Sequence, residues 1–152
     1  MTKSRKGLKF AALVFVLAVL AIQAIRIDKL NPPVQSDIQA DPAIQSLLRS
    51  ACYNCHSNET VWPWYSNVAP VSWLLASDVN EARSHLNFSM WGAYSSNVQS
   101  NKLAAIAEEV QSGDMPLWYY MLVHSEARLS QEDRSKISNW AESASRFETP
   151  RQ

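Results

Sequence analysis

The chain has 152 residues, of which 47% are hydrophobic and 18% charged, so it has enough apolar side chains for one buried core and lacks the composition of a disordered segment. Its 3 glycines are too few for the glycine-rich loop of a nucleotide-binding site. The 14 basic and 14 acidic residues balance, but the basic cluster from Lys3 to Lys9 precedes every acidic residue, so the remainder is mildly acidic and offers no basic surface for nucleic acid.

The first element is an apolar stretch near the N-terminus. Residues Leu8 to Ile25 follow the basic residues from Lys3 to Lys6 and are interrupted only by Lys9 and Gln23. Because basic flanks stay in the cytoplasm, residues 1–25 are predicted to form a transmembrane or signal-anchor helix, with the rest of the chain in the periplasm. The lack of an A-x-A cleavage site favours a retained single-pass anchor in a bacterial inner membrane, while a cleaved signal peptide and an exported periplasmic protein remain the alternative.

Residues 26–40 are predicted to form a linker, since Asn31-Pro32-Pro33 favours extended backbone. The domain itself is predicted over residues 41–147. Asp41-Pro42 is a good helix start, because Asp caps free amides and Pro is tolerated at the first helical position. An apolar stripe then leads directly to Cys52.

Three further helices are predicted from apolar residues at helical spacing. One begins at Pro70, one ends at Gly113, and the last begins at Ser130, where Asp133 completes a capping box. No segment alternates with the period of a strand. The sequence therefore predicts an all-α domain of four or five short helices.

The sharpest motif is C-x-x-C-H, present as Cys52-Tyr53-Asn54-Cys55-His56, which is the attachment motif of c-type haem. Two thiols on one helical turn can reach the two vinyl groups of a porphyrin edge, while the adjacent imidazole takes the iron. Three alternatives compete. A redox-active dithiol would need a βαβ unit, a structural zinc site would need ligands from among His56, His85 and His124, and a chance occurrence would leave free thiols.

A family resemblance is carried by three runs, CYNCHSNETVWPWYSNVAPVSWL, DVNEARSHLNFSMW and GDMPLWYYMLVHSEARLS, which are followed by a helix with Trp140. Between Asp41 and Phe147 the chain resembles the bacterial haem-binding domain family of single-haem c-type cytochromes. The resemblance implies a small cytochrome c-like helical domain with one covalent haem c on Cys52 and Cys55 and with His56 as iron ligand. The sequence has Ala82-Arg83 where Gly-Arg is expected from the family.

Three other side chains are predicted to contact the haem. Trp62 and Tyr65, in the aromatic run after the motif, would wall the porphyrin and exclude water, with ordinary core packing as the alternative. Arg83 would pair with a propionate through its planar guanidinium, with a solvated surface position as the alternative.

The second iron ligand is predicted to be Met115, in the run GDMP. In the small cytochromes c that the chain resembles, a loop before the last helix brings a methionine followed by proline across the haem from the histidine. Met90 and Met121 lie in apolar helical surroundings, where methionine usually fills core space. His85 or His124 would give bis-histidine ligation instead.

Iron with two strong protein ligands has no open position, so it passes electrons without binding a substrate. The sequence therefore predicts an electron-transfer cytochrome, not an enzyme, which acts with redox partner proteins and has no small-molecule substrate. A five-coordinate gas sensor or peroxidase-like haem enzyme is the first alternative. A thiol-disulfide oxidoreductase without haem is the second.

Overall fold

The computed structural model describes residues 2–148 and the side chains of residues 7–146. Of the predicted basic cluster, the side chains of Lys3, Arg5 and Lys6 therefore lie outside the described residues. The described helices are α1 (Thr2–Ile22), α2 (Pro42–Ala51), α3 (Tyr53–His56), α4 (Val71–His85), α5 (Ser96–Ser112), α6 (Tyr120–Val123) and α7 (Gln131–Glu148). Short 3-10 turns cover Trp64–Asn67, Trp91–Ala93 and Ser125–Ala127.

The predicted all-α class is confirmed. Within residues 2–148 there is no strand, and one isolated bridge pairs Ser36 with Met90. The helices are more numerous than the four or five expected, because α3 and α6 are single turns that are too short to show an apolar stripe in the sequence.

The chain divides into two compact units. The first unit contains the chain up to Leu30 together with Trp62–Asp78, and the second contains Asn31–Val61 and the chain from Val79 onward. The C-x-x-C-H motif and Met115 both belong to the second unit. Helix α4 begins in the first unit and ends in the second.

In the first unit, the apolar helix α1 is followed by residues that bind the segment after Trp62. Helix α1 ends at Ile22, and the next side chain, Gln23, accepts from the amide of Ala69 over 2.9 Å and donates to its carbonyl over 3.1 Å. The ammonium group of Lys29 donates to the Ser66 hydroxyl over 2.9 Å.

Among the described residues, no helix is long and apolar enough to cross a membrane. The transmembrane helix predicted from the sequence therefore has no support in the described helices.

The core of the second unit lies where α7 packs against both α5 and α2. Its buried apolar side chains are Ile38, Ile44, Leu48, Tyr53, Phe88, Trp91, Leu103, Ile106, Ala107, Val110, Ile137 and Ala141. The Ser138 hydroxyl donates to the carbonyl of Ala107 over 3.2 Å, so the polar group buried between the two long helices is satisfied.

The predicted helix ends are confirmed. The Asp41 carboxylate accepts from the first free amides of α2, over 3.0 Å and 3.1 Å. Gly113 ends α5 in the left-handed region with φ of 90°, where a side chain would be strained. Ser130 and Asp133 form the capping box before α7, with the Asp133 amide donating to the Ser130 hydroxyl over 3.1 Å.

Residues 31–40, before α2, contain no helix or strand and are hydrogen-bonded within the second unit. The amides of Gln35 and Ser36 both donate to the carbonyl of Ser89, over 3.0 Å and 3.2 Å, and the Trp91 amide donates to the carbonyl of Ser36 over 2.8 Å. The compact unit therefore begins at Asn31, upstream of the predicted start at residue 41.

This packing predicts that Gly92 tolerates no side chain. A Cβ atom there would lie 2.6 Å from Ser36 Oγ and 2.8 Å from Ser36 Cβ, and the hydrogen bonds of Ser36 keep its backbone from moving away. We expect Gly92→Ala to lower the free energy of unfolding by about 1 to 3 kcal/mol, measured by chemical denaturation.

Gly7→Ala is the matched control and should cause no loss, because nothing lies within 4 Å of the new methyl group. Ser36→Gly should restore much of the stability of Gly92→Ala. Equal stability of Gly92→Ala and the native sequence would show that the segment is not held at Gly92.

Candidate functional site

The two cysteines lie on one helical turn. Helix α2 ends at Ala51, and Cys52 has φ of −123° and ψ of −37°, which separates α2 from the turn α3. The carbonyl of Cys52 accepts from the amides of Cys55 and His56, over 3.1 Å and 2.9 Å. Neither cysteine is in a disulfide, so the turn carries two thiols next to one imidazole in the sequence.

Burial, together with the nearby Cys55, raises the pKa of the Cys52 thiol to about 12. Since the thiolate is the reactive form of cysteine, Cys52 stays protonated and unreactive towards small electrophiles at neutral pH. Cys52 is therefore not the acidic thiol that a thiol-disulfide oxidoreductase uses as its nucleophile.

The orientation of His56 is set by two backbone carbonyls. Its Nδ1 lies 3.2 Å from the carbonyl oxygen of Ala82 and 3.2 Å from that of Leu86. A carbonyl only accepts, so Nδ1 carries the proton and Nε2 of the neutral ring has a free lone pair. Burial lowers the pKa of His56, which keeps the ring neutral at physiological pH.

Tyr53 packs the turn into the core. Its hydroxyl donates to Asp37 Oδ1 over 2.7 Å and accepts from the Gln45 amide over 2.8 Å, and its ring stacks on Phe88 with 5.0 Å between centroids. The Phe88 amide donates to the carbonyl of His56 over 2.8 Å. Tyr53, which lies between the two cysteines, and His56, which follows them, are thus both held by contacts with Phe88.

Arg83 lies next to the motif but binds protein groups. Its Nε donates to the carbonyl of Ser57 over 2.8 Å, and one terminal nitrogen donates to Asn31 Oδ1 and Thr60 Oγ1, over 2.7 Å and 2.9 Å. Burial lowers its pKa. The structure thus places Arg83 as a clamp on the loop after His56, and its predicted pairing with a propionate stays a prediction.

Met115 lies half-buried between α5 and α6, in the same unit as the motif. Its amide donates to the carbonyl of Glu109 over 3.1 Å. Its carbonyl accepts from Arg134, which also donates to the carbonyl of Val110, both over 2.9 Å. The backbone of Met115 is therefore held in place by α5 and α7.

The rival ligands lie in different settings. Met90 pairs with Ser36 in the isolated bridge, and Met121 lies in α6. His85 is exposed at the end of α4. The ring of His124 stacks on Tyr120 with 4.1 Å between centroids, and its Nδ1 lies 2.8 Å from a Glu126 carboxylate oxygen.

Trp62 and Tyr65 belong to the first unit, and their predicted contact with a porphyrin stays a prediction. Tyr65 is half-buried and packs edge-on against Trp64, with 5.8 Å between centroids. The indole Nε1 of Trp62 is buried and has no hydrogen-bond partner within the described part of the chain. A buried unpaired donor is costly, so Trp62 has a donor to offer to a bound acceptor.

The donor set fits a haem better than a bare metal ion. In the described range, no three His, Cys, Asp or Glu side chains are grouped to hold a metal ion, so the zinc alternative has no ligand set there. A porphyrin supplies four iron ligands itself, and it asks of the protein only axial ligands and, in the c type, two thiols. One unprotonated imidazole nitrogen and two thiols outside any disulfide, on a single turn, meet that requirement.

Two contacts were not expected from the sequence, the hydrogen bond over 2.9 Å from Asn54 to Tyr120 and the stack of Tyr53 on Phe88. Each joins residues that lie far apart in the chain, and the one available signal was that all of these residues lie within the runs that carry the family resemblance.

A family model described as a haem-binding domain matches residues 17–143. No curated protein and no solved structure matches the chain significantly.

The raised pKa of Cys52 predicts slow alkylation. A rise from 9.0 to about 12 lowers the thiolate fraction at pH 8, so in the folded haem-free protein Cys52 should react with iodoacetamide about 100- to 1000-fold more slowly than in urea. Peptide mass spectrometry of timed samples measures this. Cys55→Ser should speed the reaction of Cys52 only in part, since burial is the larger cause. Equal rates in the folded and unfolded protein would contradict the burial of this thiol.

Proposed function

The chain belongs to the haem-binding domain family, and we propose that it is a c-type cytochrome in which one haem is attached covalently to Cys52 and Cys55 and ligated by His56. Haem is thus the cofactor of the chain, and what we propose is that it is attached covalently. The observation that carries it is the state of His56. Its Nδ1 is bonded to the carbonyls of Ala82 and Leu86, which leaves Nε2 unprotonated and oriented, as in metal-ligating histidines.

The two thiols support covalent attachment. Each thiol can add across one vinyl group, so that a carbon–sulfur bond forms, the thiol hydrogen ends on the other vinyl carbon, and no oxidant is needed. Neither cysteine is in a disulfide, and both lie on the same turn as His56. Attachment through α3 would fix the porphyrin edge to a turn that the Tyr53–Phe88 stack holds in the core.

We infer electron transfer from the proposed pair of axial ligands. A haem supplies one-electron chemistry at its iron. His56 on one face and Met115 on the other would leave no position for a substrate, and the hydrogen bonds of both residues hold them in place. The function proposed is therefore exchange of electrons with redox partner proteins, without a small-molecule substrate.

We further propose that residues 1–25 attach the protein to the bacterial inner membrane, with the haem domain in the periplasm. The support is the sequence of α1 and the exposure of its apolar side chains, which reaches 72% at Leu8 and 69% at Phe15. Such a surface is unfavourable in water and favourable in lipid. The basic flank in the sequence sets the proposed orientation.

The first prediction of this proposal is the mass of the mature protein. Protein from cells that mature c-type cytochromes should keep the mass of one haem after denaturation. Cys52→Ala and Cys55→Ala should each lose one thioether and retain haem poorly. An apoprotein mass from such cells would contradict covalent attachment, whereas haem that leaves on denaturation would support binding without thioethers.

The second prediction concerns Met115. Met115→Ala should abolish the weak charge-transfer band at the red end of the oxidised spectrum, lower the reduction potential by on the order of 0.1 V, and let carbon monoxide bind rapidly to the ferrous protein. Met121→Ala is the matched control and should change none of the three. If carbon monoxide already binds rapidly to the native protein, the five-coordinate alternative replaces the electron carrier.

The third prediction concerns localisation. Cell fractionation should recover the protein with membranes, and detergent but not high salt should release it, because apolar contacts are insensitive to salt. Protease added to spheroplasts should digest the haem domain. A soluble mature protein that begins near Ile22 would show instead that the N-terminal segment is cleaved.

A further inference from the structure

Asn54 lies between the two cysteines, and its side chain joins two segments that are distant in the sequence. Its Nδ2 donates to the Tyr120 hydroxyl over 2.9 Å, and its Oδ1 accepts from the amide of Val61 over 3.1 Å. Its carbonyl accepts from the Thr60 hydroxyl over 2.8 Å. Both ends of the side-chain amide are therefore engaged, one by the loop after the motif and one by α6.

Tyr120 begins α6 and so ends the segment 113–119 that carries Met115. The other end of this segment is fixed at α5 and α7, through the hydrogen bonds of Met115 with Glu109 and Arg134. The Tyr120 hydroxyl joins the other end of the segment to the turn that carries the thiols.

Tyr120 is itself well held. Its ring lies nearly parallel to that of His124, with an angle of 16° and 4.1 Å between centroids. His124 Nδ1 lies 2.8 Å from Glu126 Oε1. A side chain stacked in this way cannot rotate freely, so its hydroxyl is a fixed point for Asn54 to bind.

We propose that Asn54 is a positioning residue whose hydrogen bond to Tyr120 holds the Met115 segment against the haem-attachment turn and keeps Met115 on the iron. The inference rests on the proposed roles of the cysteines and Met115. It adds that the identity of a residue inside the C-x-x-C-H motif, at a position where the motif itself accepts any side chain, controls how firmly the second ligand is held.

The expected effect is moderate. One hydrogen bond between neutral groups changes an equilibrium constant by a factor of about 2 to 10. Loss of the bond should increase the population with Met115 off the iron by this factor. Carbon monoxide binds only to that population, so its rate of binding to the ferrous protein should rise by the same factor.

The experiment uses the full-length, haem-loaded protein and the variants Asn54→Ala, Tyr120→Phe and the double variant. Carbon monoxide binding to the ferrous protein and the charge-transfer band of the oxidised protein are measured well below the unfolding temperature. Each single variant should bind carbon monoxide about 2- to 10-fold faster, and the double variant no faster than Asn54→Ala, because that substitution has already removed the bond to Tyr120. Tyr120→Phe keeps the ring stack on His124, so it should fold.

Two variants serve as controls. Asn54→Asp should rescue the native rate, since a carboxylate can accept from both the Tyr120 hydroxyl and the Val61 amide. Asn97→Ala removes an exposed asparagine from α5 and should bind carbon monoxide at the native rate. Thermal unfolding of each variant is recorded in parallel, because a purely structural contact would lower stability and leave the rate of carbon monoxide binding unchanged.

Met115→Ala in the same series separates the possible failures. If it resembles the native protein, Met115 is not the ligand, and the proposed ligation and the role of Asn54 both fail. If it opens the site while the three variants at Asn54 and Tyr120 bind at the native rate, or lose only stability, the role of Asn54 is overturned and the ligation stands. If the effects of Asn54→Ala and Tyr120→Phe on the rate of carbon monoxide binding add in the double variant, the role of Asn54 is also overturned.

Discussion

The hydrogen bonds from His56 Nδ1 to the carbonyls of Ala82 and Leu86 are the constraint on which the site depends. These carbonyls lie at and just after the C-terminal end of α4, where the Ala82 carbonyl also accepts from the Leu86 amide over 2.8 Å. They fix the direction of the ring and the tautomer together. The negative end of a helix favours a protonated histidine, but burial opposes the charge and lowers the pKa. The result is a neutral imidazole with a free and oriented Nε2.

A buried polar network keeps this arrangement in place. The Asn58 amide group donates to the carbonyl of Pro33 over 3.1 Å, and its oxygen accepts from Asn87 over 2.8 Å. The Asn58 backbone amide donates to the Ser89 hydroxyl over 3.0 Å. The network links the segment before α2, the loop after His56 and the loop after α4. Since polar groups in an interior of low dielectric strongly prefer to be paired, it fixes the mutual position of these three segments.

Local rules explain which parts of the fold could be predicted. The helix ends at Asp41, Gly113 and Ser130 depend on residues within four positions, so the sequence alone locates them. The turn that holds the thiols follows from their spacing in the same way. The residues that orient His56 could not be predicted, because the acceptors are backbone carbonyls, which are present at every residue and leave no signal in the sequence. Arg83 was predicted either to pair with a haem propionate or to lie in solvent. The groups that accept its hydrogen bonds come from segments distant in the chain, so they also could not be predicted.

The central claim is that His56 is held as a neutral ligand with its proton on Nδ1. Nuclear magnetic resonance of the ferrous, haem-loaded protein with ¹⁵N-labelled histidine tests it most directly. We expect a protonated Nδ1 on His56 and an Nε2 resonance that is shifted by the iron. We also expect no titration of this ring between about pH 5 and pH 8, the range in which a free histidine titrates. A His56 ring that titrates in this range, or that carries its proton on Nε2, would show that His56 is not a neutral iron ligand protonated on Nδ1.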